Sequence, residues 1–341
     1  MLTDRAKMAV AAALVALIGV FYILTIRPGH YWGDDFALYI LHARNIVEGA
    51  PYGQTGYIYN PSNPSLSPRT YPPVYPLMLA PVIRWCGMDL EAMKVETILV
   101  FLAALFVIFL LFRKDLRFRH AVALVAMVGL SPFFWDFKDR ICSDLPFLLF
   151  LFLSFLGMRM AGEAEESGRA QLPGILLAGL ACCLACGSRT LGYLLIPSLV
   201  AADVVTRRRI SRLSISVPLM CGAWVVLQGL LEGRDSSYFD QFAGWSPRVI
   251  LHNLIYAASI AHFWANGYSK AVAALLCLAF CGLAVPGYLS RVRERVTVLE
   301  VFLLLYVAVI FVWPAEQGFR FFIPVIPLLL FYSFRGLERI R

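Results

Sequence analysis

Apolar segments that are long enough to cross a lipid bilayer recur along the whole chain, and they constrain its fold more than any other feature. The segment 8–26 contains no charged residue, and comparable segments occur at 94–112 and 298–313. A helix of about 20 mostly apolar residues crosses the hydrocarbon core of a membrane. Charged residues make up only 15% of the chain, whereas soluble proteins contain about 25%. The sequence therefore predicts an all-α integral membrane protein.

Clusters of basic residues between the apolar segments predict how the helices are oriented. The clusters lie at 5–7, 113–119, 159–169, 207–212, 291–295 and 335–341. Cytoplasmic loops are enriched in Lys and Arg. If all of these clusters are cytoplasmic, the crossing helices are 8–26, 94–112, 120–135, 145–160, 172–188, 190–205, 213–231, 270–289, 298–313 and 320–334. The net charge of +8 then reflects orientation and does not indicate binding to nucleic acid.

The apolar segment 71–86 is not expected to cross the membrane. It contains prolines at positions 72, 73, 76 and 81. Proline removes a backbone donor and interrupts a helix, and irregular backbone within a bilayer needs protein or water around it. We therefore expect this segment at the outer membrane face, partly re-entrant.

Two long outer loops, 27–93 and 232–269, are expected to carry short helices. In the first loop, four apolar residues recur at helical spacing: Phe36, Ile40, Ala43 and Val47. This pattern predicts an amphipathic helix that lies in the membrane interface. In the second loop, Ser246 followed by proline predicts a helix start. Residues 1–341 are thus expected to form a single transmembrane domain of about ten helices, without a separate soluble domain.

The chain contains 8 cysteines, most of them in apolar segments. Cys182 and Cys186 are one helical turn apart, but no His or carboxylate lies beside them in the sequence. Buried thiols behave as small apolar side chains. We therefore interpret these cysteines as packing residues rather than metal ligands, and the sequence leaves open whether a metal binds elsewhere.

Two adjacent carboxylates, Asp34 and Asp35, follow the first apolar segment. Carboxylates at a membrane boundary are costly unless they are hydrated, paired or used in function. A carboxylate in apolar surroundings is suited to act as a general base for a hydroxyl. The alternative is structural, because Asp34 could cap the helix that follows.

A second acidic residue, Asp144, lies in an outer turn that also contains Lys138 and Arg140. Asp144 starts an apolar segment, so helix capping is again an alternative. The predicted topology places it on the same face of the membrane as Asp34. We therefore expect Asp144, Lys138 and Arg140 to shape the same site.

Three arginines, Arg69, Arg189 and Arg320, fall on this face in the predicted topology. Each could extend its guanidinium to the headgroup region. Their convergence on the side that holds the carboxylates instead predicts a phosphate site, because the planar guanidinium matches phosphate oxygens.

Several motifs follow one another along the chain in a combination that can be compared with known families. They are WGDDFALYILHARNIVEGAPY (32–52), RTYPPVYPLMLAP (69–81), the Ser143-Asp144 turn, GSRTLGYLLIP (187–197) and GFRFFIPVIPLLL (318–330). Together they resemble the GT-C superfamily of membrane glycosyltransferases. More narrowly, they resemble the branch that includes protein O-mannosyltransferases and the bacterial transferases that add aminoarabinose or other sugars to lipid A and surface glycans.

The resemblance implies a reaction and a set of roles. The enzymes of this branch transfer a sugar, with inversion, from a polyprenyl-phosphate donor to a hydroxyl acceptor on the outer face. Asp34 would be the catalytic base and Asp35 the second member of the acidic pair. Arg69 would meet the donor phosphate, Asp144 would match the family's second-loop acidic residue, and Arg320 would match the basic residue that opens the closing helix.

The resemblance also implies partners and a location. The partners would be the lipid-linked sugar, a hydroxyl on a glycan, lipid or protein, and membrane lipids, with no nucleic acid. No cofactor would be required, although the acidic residues are compatible with a divalent cation. The protein would be a multi-pass protein of a bacterial inner membrane, with its site facing the periplasm.

Other functions are compatible with the same sequence. A transporter or flippase would use the carboxylates to couple ions, but such groups usually lie near the middle of the membrane in a repeated architecture. A non-catalytic assembly protein could retain the same fold. A donor on lipid diphosphate, the identity of the sugar and the class of acceptor also stay open at this stage.

Overall fold

The structure is a bundle of α-helices. The computed structural model describes residues 3–57, 70–232, 241–243, 245–264, 269–314 and 318–340, without the side chains of Asp34 and Glu232. No strand occurs within these residues. The helices are α1 Asp4–Leu24, α2 Asp34–Glu48, α3 Val74–Cys86, α4 Leu90–Phe112, α5 Phe118–Gly129, α6 Pro132–Phe137, α7 Asp144–Glu166, α8 Leu172–Cys186, α9 Leu195–Arg207, α10 Arg212–Glu232, α11 Arg248–Tyr256, α12 Lys270–Glu294, α13 Val298–Val312 and α14 Val325–Ile340. The 3-10 helices Thr190–Leu194, Ala257–Phe263 and Gly318–Phe322 lie between them.

Ion pairs gather the predicted basic clusters at one end of the bundle, which we call the basic end. Arg159 of α7 donates to Asp115, which follows α4, at 2.6 Å. Arg335 of α14 pairs with Glu294 of α12 at 3.0 Å. Arg207 and Glu165 join α9 to α7 in the same way. Loops and helix ends far apart in sequence therefore meet there, which confirms the predicted grouping.

Among the residues that the structure describes, six helical segments are long and apolar enough to cross a membrane: α1, α4, α7, 190–207, α10 and α12. Three of the shorter apolar helices, α5, α8 and α13, have 12 to 15 residues and would extend only about 18–23 Å. Each of these helices starts at the basic end and stops before it has crossed the full thickness of a membrane. We call the opposite end of the bundle the Asp144 end. The predicted helix 120–135 is accordingly interrupted, because α5 ends at Gly129 and α6 begins at Pro132. Irregular backbone at this depth is tolerated where protein covers it.

The proline-rich segment forms α3, and both of its ends lie at the Asp144 end. The backbone N–H of Val74 donates to the carbonyl of Gly187 at 2.9 Å. Tyr75 forms a 2.8 Å hydrogen bond with Thr97, in the second turn of α4. The other end of α3 leads directly into the start of α4 at Leu90. This geometry fits the expectation that the segment does not cross the bundle.

The helix predicted in the first outer loop is α2. Its residues Phe36, Ile40 and Ala43 are buried against the rest of the protein, whereas the pattern predicted a helix that lies in the membrane interface. Asp35 and His42, which the pattern placed away from the apolar side, are also buried. They are covered because α2 packs against α3 and because Asp35 is paired with an arginine. In the second outer loop, α11 begins directly after Ser246-Pro247, as predicted.

Small residues allow α7 and α8 to approach each other closely. A Cβ atom on Gly157 would lie 2.4 Å from the backbone nitrogen of Ala178. A Cβ on Gly174 would lie 2.4 Å from the backbone nitrogen of Ala161. The two helices thus pack through paired small residues spaced four apart, which is a common way for membrane helices to associate.

We expect Gly157→Ala to destabilise the protein by about 1–3 kcal/mol, because the added methyl group must push α8 away from α7. Gly222→Ala in α10 is the matched control, since a Cβ there meets no atom within 4 Å. Alanine is the better helix former by up to about 1 kcal/mol, so this control should be neutral or stabilising. Thermal unfolding of both variants in detergent measures the difference, and equal midpoints would contradict the close α7–α8 packing.

Candidate active site

Four charged side chains from separate elements meet at the Asp144 end. Asp35 of α2 accepts two hydrogen bonds from Arg320, at 2.9 and 2.7 Å. Arg320, in the 3-10 helix that precedes α14, also donates to Asp144 at 3.0 and 2.7 Å. The other oxygen of Asp144 accepts a hydrogen bond from Arg189, which follows α8. We call Asp35, Asp144, Arg189 and Arg320 the ionic cluster.

The ionic cluster is electrically neutral and largely buried. The exposed fractions are 10% for Asp35, 2% for Asp144, 14% for Arg189 and 13% for Arg320. Buried charges are tolerated when they are paired and hydrogen-bonded. Each carboxylate also lies in the first turn of a helix, where the helix dipole favours negative charge. The cluster therefore concentrates charge in a low-dielectric setting, where electrostatic interactions are strong.

Both arginines stay protonated in this setting. Burial lowers the pKa of Arg320, but the carboxylates of Asp144 and Asp35 more than offset this, so its pKa lies well above its usual range. For Arg189, burial also lowers the pKa, but the carboxylate of Asp144 raises it by more. The pKa of Arg189 therefore lies above its usual range. The two guanidinium groups are thus fixed positive charges.

Tyr39 and Ser143 extend the cluster, and sequence reasoning missed both. Tyr39 donates to Asp35 at 3.4 Å and forms a 2.7 Å hydrogen bond with Ser143. The spacing of four between Asp35 and Tyr39 on a predicted helix was the available signal. Ser143 is the residue before Asp144, but its pairing with Tyr39 depends on tertiary contacts.

Phe36 brings a third arginine close to the cluster. The guanidinium carbon of Arg320 lies 5.0 Å from the centre of the Phe36 ring, and the guanidinium carbon of Arg140 lies 5.6 Å from the same point. Arg140 also lies 5.3 Å from the centre of the Tyr31 ring. Aromatic faces attract cations at such distances. The structure therefore places Arg140 beside the ionic cluster.

Lys138 belongs to a second set of contacts, which anchors the end of α1. Its ammonium group donates to the carbonyl of Thr25 and to Asp139, both at 2.7 Å. Arg27 pairs with Asp139 at 2.7 Å and with Asp136 at 2.8 Å. These contacts hold the chain that leads from α1 to Asp35. Lys138 thus acts on the site through the backbone that carries α2.

The side chain of Asp34 and all of Arg69 fall outside the described residues, so their predicted roles stay predictions. The N-cap of α2 is Gly33, and Asp34 is the first residue of the helix rather than its cap. Asp144 is likewise the first residue of α7, after Ser143 at the N-cap, and its carboxylate binds arginines. Tyr71, two residues after Arg69, packs its ring 5.2 Å from that of Tyr39.

Arg189 is the group best placed to bind an additional anion. A guanidinium has five N–H donors. Within the described residues, the one hydrogen bond of the Arg189 side chain goes to Asp144. Arg320, in contrast, makes four hydrogen bonds to the two carboxylates. The site can therefore accept a phosphate at Arg189 while Arg320 keeps the carboxylates in place.

His42 gives this region a dependence on pH. Its ring stacks on Tyr52 and its Nδ1 lies 2.8 Å from the Tyr52 carbonyl oxygen. Burial lowers the pKa of His42 from 6.5 to about 4, although the hydrogen bond to Tyr52 opposes this. The neutral form is thus favoured in the folded protein. Its contribution to stability is fully present above pH 6.5 and is lost as the pH falls towards 4.

We therefore expect the midpoint temperature of thermal unfolding to decrease when the pH is lowered from 7 to 5. In His42→Gln this decrease should be smaller. The shift of the pKa corresponds to roughly 2 kcal/mol over this interval. His252→Gln, at an exposed position of α11, is the control and should keep the wild-type dependence. An unchanged pH dependence in His42→Gln would show that this residue does not stay neutral in the fold.

Comparison with known proteins identifies the fold. No protein-family model and no curated protein sequence matches the chain. Among solved structures, the chain is similar to the crystal structure of ArnT from Cupriavidus metallidurans bound to undecaprenyl phosphate. The TM-score is 0.64 at 16% sequence identity, over 96% of this chain and 60% of ArnT. The chain therefore shares the all-helical fold of ArnT, which agrees with the GT-C-like fold predicted from the sequence, and it spans less than two thirds of the length of ArnT.

Proposed function

We propose that the protein is an inverting glycosyltransferase, which moves a sugar from a polyprenyl-phosphate donor to a hydroxyl acceptor at the Asp144 end. The observation that carries this proposal is the buried ionic cluster, in which Arg189 has N–H groups available for an anion. Guanidinium groups match phosphate oxygens in geometry and charge. The fold supports the same class of donor, because ArnT shares it and was crystallised with undecaprenyl phosphate.

The reaction needs one group to accept a proton and others to stabilise a leaving phosphate. Asp34 takes the proton of the acceptor hydroxyl as its oxygen attacks the anomeric carbon of the sugar. The bond between that carbon and the phosphate oxygen breaks, and the electron pair leaves with the lipid phosphate. Arg189, together with Arg69, stabilises the charge that develops on the phosphate. No metal is required for this sequence of steps.

Asp35 and Asp144 have a different task in this mechanism. Both accept hydrogen bonds from Arg320, so they fix its guanidinium rather than react with the substrate. A fixed positive charge stabilises a transition state without reorganising during the reaction. Attack from the face opposite the phosphate inverts the configuration at the anomeric carbon.

The location follows from the distribution of charge. The basic clusters lie at the end of the bundle opposite the ionic cluster. Because cytoplasmic loops are enriched in Lys and Arg, the Asp144 end faces the periplasm of a bacterial inner membrane in this proposal. A transporter would place coupling carboxylates near the middle of the bundle, whereas Asp35 and Asp144 lie at one end.

The test is turnover by the purified full-length protein. Undecaprenyl-phosphate sugars are supplied in parallel with undecaprenyl-diphosphate sugars, each with glycan, lipid and peptide acceptors, and released lipid phosphate is measured. We expect consumption of at least one monophosphate donor. Arg27→Ala should retain it, because Lys138 still holds Thr25 and Asp139 in this variant. Consumption of diphosphate donors alone would contradict the proposal that the donor is a lipid monophosphate. Transport of an intact donor without cleavage would contradict the proposal that the protein is a glycosyltransferase.

A further inference from the structure

Four cysteine thiols meet between α8 and α10, and this grouping is not visible in the sequence. Cys182, Cys183 and Cys186 lie on α8, and Cys221 on α10. The sulfur atoms of Cys182 and Cys221 are 3.4 Å apart, and those of Cys183 and Cys221 are 3.9 Å apart. The sulfurs of Cys182, Cys186 and Cys221 all lie within 4.8 Å of one another. The fold therefore brings Cys221 beside Cys182 and Cys186, so that three thiols lie together where the sequence showed only two.

These distances match the geometry of a metal bound by sulfur. Bonds of about 2.3 Å from a central ion place its sulfur ligands about 3.8 Å apart in a tetrahedral arrangement, and slightly farther apart in a trigonal one. Cys182, Cys186 and Cys221 have exposures of 0%, 0% and 1%. The three sulfurs thus lie close to the spacing of a three-sulfur metal site, and all three side chains are buried.

The chemistry of the surroundings selects the ion. Within the described residues, no His or carboxylate belongs to this group. The sulfur of Met220 lies against Gly179, about one helical turn before Cys182 on α8. Soft thiolate and thioether ligands favour Cu(I), Zn(II) and iron–sulfur clusters over harder metal ions. A monovalent ion also requires fewer deprotonated thiols than Zn(II), which limits the net charge in apolar surroundings.

We propose that Cys182, Cys186 and Cys221 bind one thiophilic monovalent cation, Cu(I), in a site that joins α8 to α10. The ion forms bonds to the three sulfurs, and each thiol that becomes a thiolate releases its proton to solvent. Cys186 is three residues before Arg189, so the site fixes the end of α8 that carries the phosphate-binding arginine. This site is separate from the transfer reaction, and its test does not depend on activity.

The test uses Ag(I), a thiophilic monovalent probe, with reduced full-length protein in which the exposed Cys86 is replaced by serine. After dialysis against excess free methionine, bound silver is measured by mass spectrometry. We expect one equivalent per chain in Cys86→Ser, and loss of at least ten-fold in occupancy when Cys221→Ser or the pair Cys182→Ala and Cys186→Ala is added.

Cys277 and Cys281 provide a matched control. They have the same spacing on α12 and sulfur atoms 3.9 Å apart, but no third thiol joins them within the described residues. Replacing both with alanine should leave silver binding unchanged. Absence of binding in Cys86→Ser, or binding that survives Cys221→Ser in protein with an unaltered elution profile, would overturn the proposal.

Discussion

Replacing Arg320 with alanine will lower the free energy of unfolding by about 3–5 kcal/mol, because the change leaves a buried carboxylate without its cation. Within the described residues, Asp35 has no other ion-pair partner, whereas Asp144 retains Arg189. The same variant will lose transfer activity. Thermal unfolding in detergent, followed by tryptophan fluorescence, measures the first effect.

Arg27→Ala is the matched control, because Arg27 also pairs with two aspartates at the Asp144 end but is 46% exposed. Its partner Asp139 is only 10% exposed but keeps Lys138 as an ion-pair partner when Arg27 is removed. Exposed ion pairs contribute about 0–1 kcal/mol, so the control should unfold close to the wild type. Adding Asp35→Asn to Arg320→Ala should recover part of the lost stability, but no activity. If Arg320→Ala and Arg27→Ala unfolded alike, the buried ionic cluster would not exist as described.

Replacing Asp34 with asparagine will lower the turnover number by about 10²- to 10⁴-fold, the range for removal of a general base. Asparagine keeps the size of the side chain but cannot accept the proton of the acceptor. The Michaelis constant for the donor and the unfolding midpoint should change little, because the proposed binding of the phosphate rests on arginines. Steady-state kinetics with a consumed donor measures both constants.

Two further variants separate a catalytic role of Asp34 from a structural one. Asp35→Asn should reduce stability as well as turnover, because it removes a partner of Arg320. Asp136→Asn, at the same end of the bundle but bound to Arg27, should keep the wild-type rate. Wild-type turnover in Asp34→Asn would transfer the role of base to another carboxylate.

The ion pairs of the cluster affect how the proposed donor phosphate would bind. Arg189 is bound to Asp144, so a phosphate must share the guanidinium with this carboxylate. A second anion near Asp144 would be repelled without compensation by cations. Arg320 provides that compensation through its bonds to both aspartates. In the proposed reaction, Arg320 would therefore allow an anionic donor to approach a site that already contains two carboxylates.

Much of the helical framework could be predicted from the sequence, because the length of an apolar segment and the position of basic residues are local properties. The alternation of helices, the basic end and the failure of the proline-rich segment to cross the bundle belong to this part. That this segment forms α3, with Pro81 inside the helix, was not predicted, because its prolines indicated irregular backbone. The early ends of α5 and α8 could not be predicted in this way, since they depend on neighbouring elements that cover the exposed backbone.

The candidate site was predicted only as a set of residue types on one face. Asp35 and Arg320 are 285 residues apart, and no local pattern pairs residues at such a separation. The burial of His42 was missed because it depends on packing of α2 against α3. Cys221 was missed as a partner of Cys182 for the same reason, since it comes from another helix.

Binding of the lipid phosphate to the purified protein tests the central claim most directly. The affinities for undecaprenyl phosphate and for undecaprenol are compared in wild-type protein, Arg189→Ala and Arg27→Ala by native mass spectrometry in one detergent. A charge-assisted hydrogen bond contributes about 1.5–3 kcal/mol, so the phosphate should strengthen binding about 10- to 100-fold in wild type and Arg27→Ala, and far less in Arg189→Ala. Equal affinities for the two lipids in wild-type protein would contradict a phosphate site at Arg189.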